Sequence, residues 1–237
     1  WPQAEGSTWP QLWGEWLEEY YGLEMEYMSV EQQEARTKIV TMVLAGDPPD
    51  VRWLRVEDYP AQWIEEVYQP VDDYVDGFND PFWDPIRDVA QATMWKGHYA
   101  LMPFASTHTA IMFNKKIFED NGLDTPYDLY LRGEWDWDAF RDLATQLTQD
   151  TDGDGEIDQY GCTANGGYTW QALIASTGKS PATFAADGSV ELHYDDPDLV
   201  SAFQFLQDLT TTDKALFFPA KSGQPEFVNG KAAMWSH

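Results

Sequence analysis

The sharpest chemical signal in the chain is an acidic loop of regular spacing. Asp150, Asp152, Asp154, Glu156 and Asp158 recur at every second position, with Gly153 and Gly155 among them. Oxygen ligands at alternate positions can wrap a hard cation such as Ca2+, with a glycine permitting the sharp turn at the sixth place and a main-chain carbonyl, here that of Glu156, serving the seventh. The twelfth place, ordinarily a bidentate glutamate, is Gly161. The loop therefore reads either as a weakened structural calcium site, completed by water or by residues elsewhere, or as a solvated acidic turn.

Aromatic residues are the second signal. The chain carries 12 each of Trp, Tyr and Phe, more than a core of this size requires. Sugar rings offer apolar faces that stack on aromatic rings, while their hydroxyls need planar polar partners. Trp53, just after the Pro49-Asp50-Val51 run, and Tyr168 with Trp170, at the start of a helical pattern, suit either a sugar site or the core. Trp13, Trp16 and Tyr20 lie on one apolar helical stripe and are expected in the core.

Catalytic patterns are weak. No two of the many carboxylates are singled out as an acid and base pair of the glycosidase kind. Ser106 and His108 are close in sequence, yet no Gly-x-Ser-x-Gly elbow marks a nucleophile. His98, His108, His193 and His237 lack zinc spacing, and there is no glycine-rich phosphate loop. Catalysis is the weaker reading of these residues.

Bulk properties agree. A formal charge of −27, from 41 acidic against 14 basic side chains, repels nucleic acid and anionic membrane surfaces and leaves neutral or cationic partners. Hydrophobic content of 43% and aromatic content of 15% indicate a folded globular chain. Cys162 is the one cysteine, so no intramolecular disulfide forms, and it is expected as a small buried apolar residue. No apolar run approaches the roughly 20 residues that span a bilayer, and the chain begins without a signal peptide.

The elements that position these residues alternate between helix and strand. Helical patterns run from Thr8 to Tyr21, with Thr8 and Gln11 as a capping box, then from Ser29 to about Val43, from Pro81 to Trp95, and through Ile117 and Phe118 to Gly122. Others start at caps Asp136 and Asp196, and one spans about Tyr168 to Thr177. Strand patterns fall at Leu23 to Tyr27, Val51 to Val56, Tyr99 to Phe104, Thr109 to Phe113 and Val190 to Tyr194. Such alternation predicts an α/β fold with a largely parallel sheet.

Several segments resemble one family. Leu44-Ala-Gly-Asp-Pro-Pro-Asp-Val51, Pro70-Val71-Asp72-Asp73-Tyr74, the Gly97 to Phe104 run ending Pro-Phe, the following Phe113-Asn-Lys-Lys-Ile-Phe-Glu-Asp-Asn-Gly-Leu123, and Phe227-Val-Asn-Gly-Lys-Ala-Ala-Met234 resemble extracellular solute-binding proteins, of the sugar-binding, maltose-binding-protein-like kind, that serve ATP-binding-cassette importers. The resemblance implies a two-lobed periplasmic-binding-protein-like α/β fold of type II, here a fragment lacking the first strand and the C-terminal portion. It implies an N-terminal lobe over 1–108 and a truncated C-terminal lobe over 109–237, with a sugar or oligosaccharide held in the cleft between them. By the same resemblance, ligand contacts come from Glu5 in the segment Gln3 to Ser7, from Trp53, Arg55 and Glu57, from Ser106, Thr107 and His108, and from Asn165, Tyr168 and Trp170. Maltose-type relatives often place a carboxylate where this chain has Thr107. Members with the Asp-x-Asp-Gly-Asp-Gly-x-x-Asp-x-Tyr-Gly run resemble structural calcium binders. The implied protein is a monomeric extracytoplasmic protein, periplasmic or a cell-surface lipoprotein, with a membrane permease as partner and no organic cofactor. The rival readings are a secreted glycoside hydrolase and a calcium-dependent carbohydrate-adhesion module.

Overall fold

A computed structural model describes residues 9–30, 32–54, 58–59, 61–103, 109–165, 167–185, 187–219 and 222–236. The chain divides into two compact units, Trp1–Tyr74 and Val75–His237. The lobe change expected at 108 lies outside the described residues.

The described part of the first unit is helical: α1 (Trp9–Tyr21), α2 (Gln32–Ala45), α3 (Ala61–Ile64) and the start of α4 (Asp72–Val75). Gly22, at φ +66°, ends α1 in the left-handed conformation, its N–H donating to the Glu18 carbonyl at 2.9 Å. The Thr8 cap expected for this helix lies outside the described residues. The aromatic stripe of α1 departs from expectation: Trp13, Trp16 and Tyr20 are 46%, 42% and 65% exposed. They pack on one another instead, with Trp13 and Trp16 edge-on at 5.7 Å and Trp16 against Tyr21 at 5.2 Å. The alternating Leu23, Met25 and Tyr27 form no strand, because none of the described residues lies beside them to complete a ladder. Val51 to Leu54 likewise carries no strand pairing. Among the described residues of this unit, the one fully buried side chain is the polar Gln62.

The second unit opens with 3-10 turns at Asp76–Phe78 and Pro81–Ile86, where a single helix over Pro81 to Trp95 was expected. Pro85 inside the run denies it an α-helical hydrogen bond, and α-helix resumes only at α5 (Arg87–Ala92). Two short hairpins stand apart from the main sheet: β1 (Met94–Trp95) with β2 (His98–Tyr99) precedes it in sequence, and β5 (Ala182–Phe184) with β6 (Val190–Leu192) falls between two of its strands. That sheet comprises β3 (Ile111–Phe113), β4 (Tyr160–Ala164), β7 (Leu216–Phe217) and β8 (Ala232–Ser236), in the order β3-β8-β4-β7. β4, β7 and β8 are mutually parallel, as the helix and strand alternation predicted, and β3 runs antiparallel to β8.

Five helices separate these strands: α6 (Lys115–Asp120), α7 (Pro126–Arg132), α8 (Trp137–Gln146), α9 (Gly167–Ser176) and α10 (Pro197–Thr211), with the short α11 (Gln224–Val228) before β8. The core is built from Phe118 of α6, Phe140 and Leu143 of α8, Leu147, Cys162 of β4, Leu209 of α10, Leu216 and Met234. β4 and β8 are buried on both faces, as parallel strands covered by helices must be. Cys162 is fully buried, as expected, and burial pushes its thiol up to about 12.

The caps explain where these helices start. Asp136 accepts from the Ala139 N–H at 2.9 Å, and Thr125 with Asp128 forms a reciprocal capping box. Asp196 accepts from the Asp198 N–H at 2.9 Å, which holds its carboxyl below the usual carboxylate range, with Lys179 adding to the effect. A carboxylate whose folded pKa is depressed stabilises the fold above its unfolded pKa, and that contribution is lost as pH falls through the folded value. Asp196→Ala is therefore expected to lower the melting temperature at neutral pH. The gap from wild type closes as melts are repeated at pH values below the ordinary carboxylate range. A gap independent of pH would mean that the carboxylate's charge plays no part in the cap.

Candidate functional site

The register of the sheet defines one edge. Ala164 at the end of β4 lies beside Ser236 at the end of β8, and Ser236 in turn pairs with Ile111 at the start of β3. The carboxyl ends of parallel strands are where α/β folds place ligands, since loops and helix starts converge there. Asn165 leaves β4 at this edge, and α9 begins two residues later.

Asn165 is half-buried, and its Oδ1 accepts three hydrogen bonds: from Ser222 Oγ at 3.0 Å, from the Gly223 N–H at 3.0 Å and from the Trp235 indole N–H at 3.2 Å. One side chain thus ties β4, β8 and the approach to α11. Trp170, in the first turn of α9, is half-buried against Phe203 at 6.5 Å. With Tyr194 and Phe218 these rings line a groove of about 560 Å³. A second groove, of about 530 Å³, is lined by Ile111 and Phe113 of β3 and by Tyr127, Tyr130, Trp135 and Trp137. Tyr127 stacks with Tyr130 at 6.4 Å, and the Trp137 indole donates to Ser176 Oγ at 2.8 Å. Sequence reasoning did not find this second groove, because aromatic residues at helical spacing read as core.

Of the expected ligand contacts, Asn165 and Trp170 are five positions apart in the second unit, one at the strand edge and one in a groove. The backbone of Tyr168 lies in α9. Glu5, Arg55, Glu57, Ser106, Thr107 and His108 lie outside the described residues. Trp53 belongs to the first unit and is 64% exposed. Its neighbour Arg52, which sequence reasoning passed over, is held by Asp58 at 2.6 Å, Gln62 Oε1 at 2.7 Å and Tyr68 Oη at 2.8 Å. Burial pushes the Tyr68 phenol up to about 12, against the lowering field of Arg52.

The acidic loop brings Asp150, Asp152 and Asp158 together, with one oxygen of each within 4.8 Å of the others. All three are exposed. Asp150 also accepts from the Gly153 and Gly155 N–H groups at 2.6 and 2.8 Å. Asp158 accepts from the Thr151 hydroxyl and N–H, which hold its carboxyl below the usual range. Asp154 accepts from the Glu156 N–H at 2.8 Å and is not part of the three-carboxylate group. Three converging carboxylates suit a hard cation, with Asp154 and the Glu156 carbonyl left to complete its shell.

Parallel strands ending at one helix-lined edge, with aromatic grooves beside it, define an α/β solute-binding architecture. The chain belongs to the family of bacterial extracellular solute-binding proteins, which it matches over residues 1–237. It is 25% identical over 114 residues to the maltotriose-binding protein of Pyrococcus abyssi, covering 46% of this chain and 24% of that protein. Among solved structures it is similar to an ABC substrate-binding protein from Listeria monocytogenes in complex with cycloalternan, with a TM-score of 0.73 and 21% identity over 98% of this chain and 58% of that one. It is also similar to the Mycobacterium tuberculosis protein UgpB in complex with glycerophosphocholine, with a TM-score of 0.72 and 18% identity over 98% and 56%. The chain thus spans a quarter of the curated relative and somewhat over half of these structures.

Proposed function

We propose that the whole protein captures a sugar or oligosaccharide outside the cytoplasm and delivers it to the permease of an ATP-binding-cassette importer. The observation that carries this reading is the family match along the entire chain. The choice of sugar over other solutes is supported by the maltotriose-binding relative and by the aromatic groove that Trp170 lines near the strand edge. Trp53, Asn165, Tyr168 and Trp170 are the contacts assigned in the described part, with Glu5, Arg55, Glu57, Ser106, Thr107 and His108 completing the set. The protein acts as a monomer, held outside the cell membrane as a periplasmic protein or surface lipoprotein. No helix among the described residues is long and apolar enough to cross a membrane. The acidic loop holds a structural Ca2+ through Asp150, Asp152, Asp154, Glu156 and Asp158, away from the sugar. The family match favours neither the glycoside hydrolase nor the adhesion module.

The test is tryptophan fluorescence with thermal melts against maltotriose, cyclic oligosaccharides, monosaccharides and glycerophosphocholine, with and without calcium. The expected result is a saturable response to one sugar class and no release of reducing sugar. Saturation at a hundred times Kd stabilises by about 2.7 kcal/mol, which raises the melting temperature by roughly 5 to 10 °C. Calcium should raise the melting temperature without changing the sugar response. Binding abolished by chelator would favour the adhesion module, and a response to glycerophosphocholine alone would overturn the sugar reading.

A further inference from the structure

The segment before α3 holds an arrangement that the sugar reading does not use. From Val51 to Trp53 the chain alternates: Val51 is 85% exposed, the Arg52 side chain 14%, and Trp53 64%. The guanidinium of Arg52 is gripped from two directions. Nη2 meets the Asp58 carboxylate at 2.6 Å, while Nη1 donates both to Gln62 Oε1 at 2.7 Å and to Tyr68 Oη at 2.8 Å. Tyr68 also bonds to Gln62, so all four side chains form one cluster. Gln62 lies on α3 and is fully buried, and its Nε2 finds no acceptor among the described residues.

Such a cluster is a poor way to gain stability. A desolvated ion pair is often no better than apolar residues of the same volume, and a buried amide donor without an acceptor costs further. What a planar guanidinium with three fixed partners does provide is one geometry, since its fork admits little rotation. Along Val51, Arg52 and Trp53 the exposure alternates, so Trp53 lies to the solvent side where Arg52 lies inward. An Arg52 locked inward therefore sends the indole of Trp53 outward.

We propose that Arg52 is a positioning residue: its guanidinium, fixed between Asp58, Gln62 and Tyr68, sets the outward aim of Trp53 as the stacking platform for a sugar ring. This inference rests on the sugar-binding reading for its ligand, but not for its geometry. Lysine cannot replace Arg52, because an ammonium lacks the fork.

The test labels the protein with 5-fluorotryptophan and follows the 19F resonance of Trp53, assigned by its loss in Trp53→Phe. In Arg52→Met and Arg52→Lys that resonance should shift and broaden while the other tryptophan lines stay in place. Maltotriose affinity should fall about tenfold in Trp53→Ala and in Arg52→Met, the size of one lost stacking contact. In the Trp53→Ala background, Arg52→Met should change affinity less than about twofold, since the two act as one unit. An unmoved Trp53 resonance overturns the proposal, and so does a full tenfold loss on adding Arg52→Met to Trp53→Ala, which would mark a merely structural role. If wild type binds no maltotriose, the sugar reading is in question, and the 19F line alone decides the positioning claim. If Arg52→Met does not fold, Asp58→Asn removes the ion pair only and must still move the Trp53 line.

Discussion

Gly161→Ala is expected to lower the melting temperature by roughly 10 °C. Gly161 lies in β4 where the strand passes directly under α8. A Cβ there would sit 1.8 Å from the Ala144 carbonyl oxygen and 2.4 Å from the Ala144 carbonyl carbon and Cα. These are backbone atoms, so no rotamer change relieves the clash, and α8 would have to lift from the sheet that buries Phe140 and Leu143. Overpacking of a close-packed site costs about 3 kcal/mol at the upper end of its usual range. For a chain of this size each kcal/mol is worth about 2 to 4 °C. Circular dichroism melts check this, and a shift of under about 2 °C would show that α8 does not approach β4 so closely.

Asn165→Leu is expected to have an effect of similar size by a different route. Leucine keeps the volume but removes the oxygen that accepts from Ser222, Gly223 and Trp235. Each donor left without a partner in a buried setting costs about 1 to 3 kcal/mol. Ser222 can turn to water, so about 3 kcal/mol in total is expected, or roughly 6 to 12 °C. Asn165→Asp retains the acceptor and should recover most of that loss. Equal melting of the two variants would show that the oxygen is not the tie. If the proposed sugar reading holds, Asn165→Leu should also weaken the sugar response, since Asn165 stands at the strand edge, and the fluorescence titration reads this directly.

The same glycine shows how far the sequence could be read. In the loop pattern Gly161 registers only as the missing twelfth ligand. Packing supplies the reason: no side chain fits against α8, so a glutamate could not have been placed there. Features fixed by short-range chemistry were legible in advance, among them the Asp136 and Asp196 caps and the left-handed Gly122 that closes α6. Features that need a neighbour were not. Leu23 to Tyr27 alternates like a strand but has no ladder partner among the described residues, and Trp13, Trp16 and Tyr20 of α1 stay 42% to 65% exposed. β4, reading Tyr-Gly-Cys-Thr-Ala, is buried on both faces and so shows no alternation at all. In the candidate site, Trp53 and Asn165 were marked by resemblance. Arg52 was missed because a charged residue in an extended run reads as solvent-facing, whereas Asp58, Gln62 and Tyr68 together draw it inward.

Cys162 sits in an inner strand of the sheet, paired with Leu216 on one side and Met234 on the other. With its thiol fully buried and pushed up to about 12, it is closed to thiol reagents while the sheet is intact. The wild-type chain therefore carries its own reporter of opening. The rate at which an excess of reagent modifies this one sulfur measures how often β4 leaves its neighbours, and a bound solute that holds the strand edge together would slow that clock.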